Sequence, residues 1–236
     1  MKVCSTFKII TLFPEFFDSP LKTGLMGKAI QSGRLRVELT DLRDFSEDKH
    51  RRCDDYPYGG GSGMVLRPEP IIGALNSVKG NAAKTVLTSP GGRLLDQALV
   101  KELSCEVELC IICGHYEGVD QRVIESAVDL EVSVGDYVLS GGEYAALVIL
   151  DSMVRYIPGF MSNSDSLQEE SFEAGLLEYP QYTRPAIFGG MEVPPVLTGG
   201  NHGEIKKWRC DKSIEKTKRF RPDLYRRYIM RKLLGE

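Results

Sequence analysis

The sequence predicts an α/β fold, a parallel sheet of about five strands, followed by a small basic helical part. Three observations carry that expectation. Short apolar runs alternate with helical patterns from residue 6 to residue 157, the order that builds parallel strands with helical crossovers. Three of those runs end in glycine-rich loops. Beyond residue 175 the composition becomes helical and basic, which marks a second domain.

Taken in order, a strand over 6–12 ends at Phe13-Pro14-Glu15, where Pro14 suits the opening turn of a helix. A helix through residues 25–30 and a strand over 35–42 follow. Residues 43–63, RDFSEDKHRRCDDYPYGGGSG, hold charge, proline and glycine without usable periodicity. They are expected to form a long mobile loop that works as a lid or binding loop. Helical patterns at 67–79 and 94–104 alternate with strands over 84–88, 109–113 and 130–134. The run 143–157 is apolar nearly all round, so it should be a buried helix, placed between subunits. Pro158-Gly159 stops it, and FMSNSDSLQ at 160–168 reads as a linker. The expected division is an α/β domain over 1–160, a linker over 161–175 and a helical domain over 176–236.

The loops carry the functional signal. GDYVLSGGE at 135–143 packs three glycines between a strand and a helix, so its main-chain groups can approach a ligand with no Cβ in the way. SPGGR at 89–93 and GHYEGVD at 114–120 repeat the arrangement. Ligands of parallel sheets bind outside the carboxyl ends of strands, so three such loops point to one shared crevice. None fits G-x-G-x-x-G or G-x-x-x-x-G-K-[ST], which argues against a dinucleotide or a P-loop nucleotide.

With 236 residues and 42% hydrophobic content the chain can bury a full core. It has no run of about 18 apolar residues and no signal-peptide layout, so no membrane association and a cytoplasmic location with six reduced cysteines are expected. Cys110 and Cys113 form a C-x-x-C, but inside the apolar run LCIIC, where core packing is the natural role. The net charge of −3 conceals an asymmetry. Residues 201–236 hold 12 Lys/Arg against 5 Asp/Glu, a net of +7, and the rest of the chain carries −10. Lys206, Lys207, Arg209, Lys212, Lys216, Lys218, Arg219, Arg221, Arg226 and Arg227 make a surface suited to a phosphate backbone.

Several motifs in order resemble the bacterial tRNA (guanine-N1) methyltransferases of the TrmD family: TLFPEFF at 11–17, DDYPYGGGSGM at 54–64, SPGGRLLDQ at 89–97, CGHYEGVDQRV at 113–123, GDYVLSGGE at 135–143, DSMVRYIPG at 151–159, SFEAGLLEYPQYTRP at 171–185 and MEVPPVLTGGNHGEIKKWR at 191–209. The resemblance implies a SPOUT-type parallel sheet with a trefoil knot. It also implies S-adenosylmethionine as methyl donor, a homodimer whose site uses both subunits, and tRNA rather than DNA as partner. The product would carry a methyl group on N1 of the guanine 3′ of the anticodon, G37.

Carried over residue by residue, the resemblance puts donor contacts on Leu87, Ser89, Pro90, Gly114, Tyr116 and Glu117, and on Val134, Gly135, Asp136, Tyr137, Val138, Leu139, Gly141 and Gly142. It makes Glu170 the general base, where the family usually has Asp, and Arg155 the cation that steadies charge on guanine O6. Asp165 and Glu169 are the neighbouring carboxylates, and gap-free alignment over 155–171 favours Glu170. The resemblance also implies magnesium, with Glu117, Glu170 and Glu178 as candidate ligands; no metal motif is visible in the sequence itself. Glu143 by itself reads as a carboxylate favouring a helix N-terminus. The competing readings are a SPOUT ribose 2′-O methyltransferase, a non-catalytic RNA-binding module and a nicotinamide oxidoreductase, the last disfavoured by the absence of G-x-G-x-x-G.

Overall fold

The computed structural model describes residues 4–78, 83–161 and 170–234. The chain divides into two compact units, Met1–Ser162 and Asn163–Glu236. Most of the expected linker, including Asp165 and Glu169, lies outside the described residues.

In the first unit the order is β1 (Thr6–Thr11), α1 (Asp18–Lys22), α2 (Gly24–Gln31), β2 (Arg36–Asp41), β3 (Asp54–Asp55), β4 (Val65–Leu66), α3 (Pro68–Val78), β5 (Ala83–Leu94), α4 (Gln97–Ser104), β6 (Glu108–Cys113), α5 (Gln121–Ala127), β7 (Leu130–Ser133) and α6 (Glu143–Val154). Five strands form one sheet in the order β2-β1-β6-β5-β7, and every pairing in it is parallel. Strand alternation splits the core between the two faces. On β6, Leu109 and Ile111 pack with Phe7 and Ile9 against Leu99, Leu103, Ile149 and Met153 of α4 and α6. Cys110 and Ile112 pack on the other face with Ile71, Leu75 and Val123 of α3 and α5. Cys110 and Cys113 are thus core residues of a strand, both free thiols. Burial pushes the Cys113 thiol well above its ordinary range.

Three expectations need correction. SPGGR is not a free loop after a short strand: β5 runs on to Leu94, and two stretches of it pair with β7, Thr88 and Arg93 both meeting Val132. Gly92 permits this, since a Cβ there would lie 2.5 Å from the Val132 backbone nitrogen. Residues 43–63 are not featureless. Asp54 pairs with Leu66 across the β3–β4 ladder, Cys53 is buried, and Asp48 accepts from the His50 amide at 2.7 Å and from Arg52. Finally, α6 ends at Val154 rather than at 157; in the single chain Tyr144 and Val148 are exposed by 55% and 49%.

The second unit opens with a tight turn, in which Phe172 (φ 79°) and Gly175 (φ 75°) take left-handed conformations and the Phe172 amide donates to Leu176 O at 2.8 Å. A hairpin of β8 (Ile187–Phe188) and β9 (Met191–Glu192) reverses through Gly189-Gly190, both with positive φ. Then come α7 (Pro195–Thr198), α8 (His202–Phe220) and α9 (Pro222–Leu234). Asn201 caps α8, its side chain accepting from the Gly203 and Glu204 amides.

Candidate active site

The middle of β5 and the carboxyl ends of β6 and β7 surround one cavity of about 460 Å³ in the first unit. Leu87, Ser89 and Pro90 form one wall, Gly114, Tyr116 and Glu117 a second, and Val134, Gly135, Tyr137, Val138, Leu139, Gly141 and Gly142 the third. The glycine-rich stretch of β5 and the two glycine loops therefore converge. Of the residues assigned to the donor, Asp136 stands apart: it is exposed on the third loop and does not line the cavity.

Glycine is required at 142 by close approach. A Cβ there would sit 2.0 Å from Thr88 Oγ1 and 2.7 Å from the Gly114 nitrogen. Without one, the Gly142 amide donates to Gly114 O at 2.8 Å and the Gly114 amide to the Thr88 side-chain Oγ1 at 3.1 Å, so the three segments are stitched together by main-chain amides. The 116–118 turn needs unusual backbone as well, with Tyr116 at φ 58° and Gly118 at φ 129°. Partial burial, with the Asp54 charge, raises the Tyr116 phenol above its ordinary range. Tyr137 folds back so that its hydroxyl donates to Val134 O at 3.1 Å.

At the cavity lies a polar pair that the sequence did not disclose, His115 of the lining and the buried Glu143. Glu143 is 3% exposed, and its carboxylate oxygens lie 2.7 and 2.9 Å from His115 Nε2. Thr11 Oγ1 donates to the same carboxylate at 2.6 Å, and the Phe13 amide donates to Thr11 Oγ1 at 2.9 Å. Burial alone would push the Glu143 carboxyl up, but the bonds from His115 and Thr11 outweigh it and hold it below its ordinary range. Glu143 is therefore more than a helix-terminal charge: it ties the second and third loops to the end of β1. The only sequence sign was the presence of one histidine and one acid in two loops that proved to be neighbours.

The two residues assigned to proton chemistry fall in different units. Arg155 is the half-buried C-cap of α6 in the first unit. Glu170 opens the turn that begins the second unit, where its carbonyl accepts from the Glu173 amide. That turn is anchored: Ser171 Oγ accepts from the Glu178 amide at 2.9 Å, and the Leu177 amide donates to Thr217 Oγ1 of α8 at 2.8 Å. Thr217 is fully buried. Among the described residues no group of three or more His, Cys, Asp or Glu side chains is arranged to hold a metal ion, and no helix is long and apolar enough to cross a membrane.

Comparison with known proteins gives a consistent result. The profile of the tRNA (guanine-1)-methyltransferase TrmD family matches residues 5–227. A protein of Borrelia duttonii is 54% identical over 223 residues, covering 94% of this chain and 92% of its own length. One of Treponema denticola is 53% identical over 218 residues, with 92% and 89% covered. One of Dictyoglomus turgidum is 51% identical over 216 residues, with 92% and 88% covered. All three are named tRNA (guanine-N(1)-)-methyltransferase.

Proposed function

The chain belongs to the TrmD family of tRNA (guanine-1)-methyltransferases, and from that premise we infer that it transfers a methyl group from S-adenosylmethionine to N1 of guanine 37 in tRNA. The observation that carries the reading is the convergence of three glycine-rich segments on one cavity, in a chain matched over nearly its whole length.

The cavity suits the donor. At 142 the main chain comes so close to its neighbours that a Cβ would collide, and a cradle of bare amides and carbonyls can read the edge of an adenine. Leu87, Ser89, Pro90, Gly114, Tyr116, Glu117 and the 134–142 loop apart from Asp136 would hold it. When bound, S-adenosylmethionine supplies an electrophilic methyl group on a sulfonium sulfur. The protein's own task is to make guanine N1 a nucleophile. N1 carries a proton at neutral pH, so the Glu170 carboxylate accepts that proton and leaves the N1 lone pair free. The negative charge that builds on O6 is balanced by the Arg155 guanidinium. A positioned general base contributes about 10²–10⁴-fold, and a fixed cation at a developing oxyanion adds a comparable factor. Magnesium enters none of these steps.

The exposed apolar side of α6, Tyr144 and Val148, supports a homodimer whose sites draw on both chains. The double pairing of β5 with β7 supports a SPOUT-type knotted arrangement of this part of the sheet. The basic helices α8 and α9 hold the tRNA phosphates in the cytoplasm. Mass spectrometry of nucleosides from tRNA incubated with the protein and S-adenosylmethionine tests the reading. The expected product is 1-methylguanosine at position 37; a 2′-O-methylated nucleoside, or none, overturns it.

A further inference from the structure

The second unit contains a cavity of its own, about 440 Å³, within the range of small-molecule sites. Tyr179, Tyr182, Arg184, Leu197, Trp208 and Arg209 are among the residues that line it. The Tyr182 and Trp208 rings face each other across 6.3 Å at a tilt of 57°, and the Arg209 guanidinium lies 4.7 Å over the Tyr179 ring. Flat apolar faces thus alternate with a cation. Three polar groups at this cavity are uncommitted. Among the described residues the Trp208 indole N–H, the Tyr182 hydroxyl and the Arg184 guanidinium make no hydrogen bond or ion pair, and Tyr182 is 49% exposed.

Aromatic planes with free donors at their edges, on a unit whose last 36 residues carry a net of +7, match the chemistry of an unpaired nucleobase. Proteins take such bases out of RNA loops by stacking them on aromatic or guanidinium planes and bonding their edges. We propose that this cavity binds one unpaired base of the tRNA, distinct from the guanine that reacts at Arg155 and Glu170. The inference rests on the tRNA reading above and adds a contact that is neither phosphate binding nor catalysis.

Trp208 is the single tryptophan of the chain, so its emission reports on this cavity alone. Titrating the full-length protein with unmodified tRNA should quench it, whereas inorganic polyphosphate, a polyanion without bases, should leave it unchanged. Tyr182→Ala should weaken tRNA binding by about 5- to 150-fold, as loss of one stacked base does, and leave single-turnover methyl transfer at saturating tRNA near the wild-type rate. Arg184→Gln should weaken binding in the same direction. Equal quenching by polyphosphate, or unchanged affinity in Tyr182→Ala, overturns the proposal. So does unchanged Trp208 emission while the anisotropy of labelled tRNA reports binding, a result that leaves the methyltransferase reading standing. Failure of the wild type to bind tRNA at all would remove both.

Discussion

Replacing Gly141 by alanine tests whether the cavity wall is set by main-chain approach. The backbone at 141 is outside the left-handed region, so the cost is collision alone: a new Cβ would lie 2.2 Å from His115 Cε1, 2.5 Å from His115 Nε2 and 2.6 Å from Glu143 Oε2. Those atoms cannot move independently, because the His115–Glu143 pair is buried and Glu143 is also held by Thr11. Relief means breaking at least one bond to a buried carboxylate, about 1.5–3 kcal/mol. For a chain of this size that lowers the melting midpoint by about 3–12 °C. Displacing the third loop should also remove at least one backbone contact to the donor, roughly a tenfold loss of affinity, and Gly141→Val should lose more. Calorimetry with S-adenosylmethionine and a thermal melt measure both effects. Gly91→Ala is the control, since its Cβ would meet nothing closer than Ser89 Oγ at 3.8 Å. If Gly141→Ala binds the donor and melts as the wild type does, the cavity wall is not defined by this approach and the argument fails.

Glu170→Gln should lower single-turnover methyl transfer by about 10²-fold or more with donor binding intact, while Glu170→Asp keeps measurable activity; a full rate in the Gln variant would reassign the base. Arg155→Ala should slow transfer comparably in the same assay. Affinity for tRNA should fall linearly on a logarithmic salt scale, and the slope should shrink in a Lys207→Glu, Lys216→Glu variant; a flat response would remove α8 from the phosphate contacts. Glu143 titrates below its ordinary range in the folded chain, so its contribution to stability is full above the unfolded pKa of about 4.3 and is lost as pH falls through the lower folded value. The melting difference between wild type and Glu143→Gln should therefore be largest near neutrality and shrink in acid; a difference that grows in acid would reverse the assignment.

Much of the sheet was legible because its strands are short apolar runs whose residues alternate between two buried faces: Phe7 and Ile9 against Ile10, Leu109 and Ile111 against Cys110 and Ile112. Pro14 was equally informative, opening a 3-10 turn over Pro14–Phe17. The continuation of β5 was not legible, since Ser89-Pro90-Gly91-Gly92 has turn composition and only pairing with Val132 makes it strand. Short α5, with little apolar surface, gave no periodic signal, although Asp120 caps it. The Gly189-Gly190 pair is a hairpin turn signal of the kind two short strands flank. In the site, the residues lining the cavity follow from glycine loops at strand ends. The bond between His115 and Glu143 does not, because it joins positions 28 residues apart and a third group, Thr11, much earlier in the chain.

The double pairing of β5 with β7 has a kinetic consequence. Residues 89–92 are clamped at both ends to the same strand, through Thr88 and Arg93 at Val132, so that side of the cavity cannot swing out without breaking sheet hydrogen bonds. Opposite it, residues 136–140 are all exposed. One wall is fixed by sheet pairing at both ends, while the other rests on a loop exposed throughout. Were that exposed loop the wall that yields, substitutions at 136–140 should change how long a bound molecule stays, whereas changes at 88–93 should change whether it is held at all. Deuterium exchange would see the asymmetry directly: fast amides over 136–140, slow ones at Val86, Leu87 and Thr88.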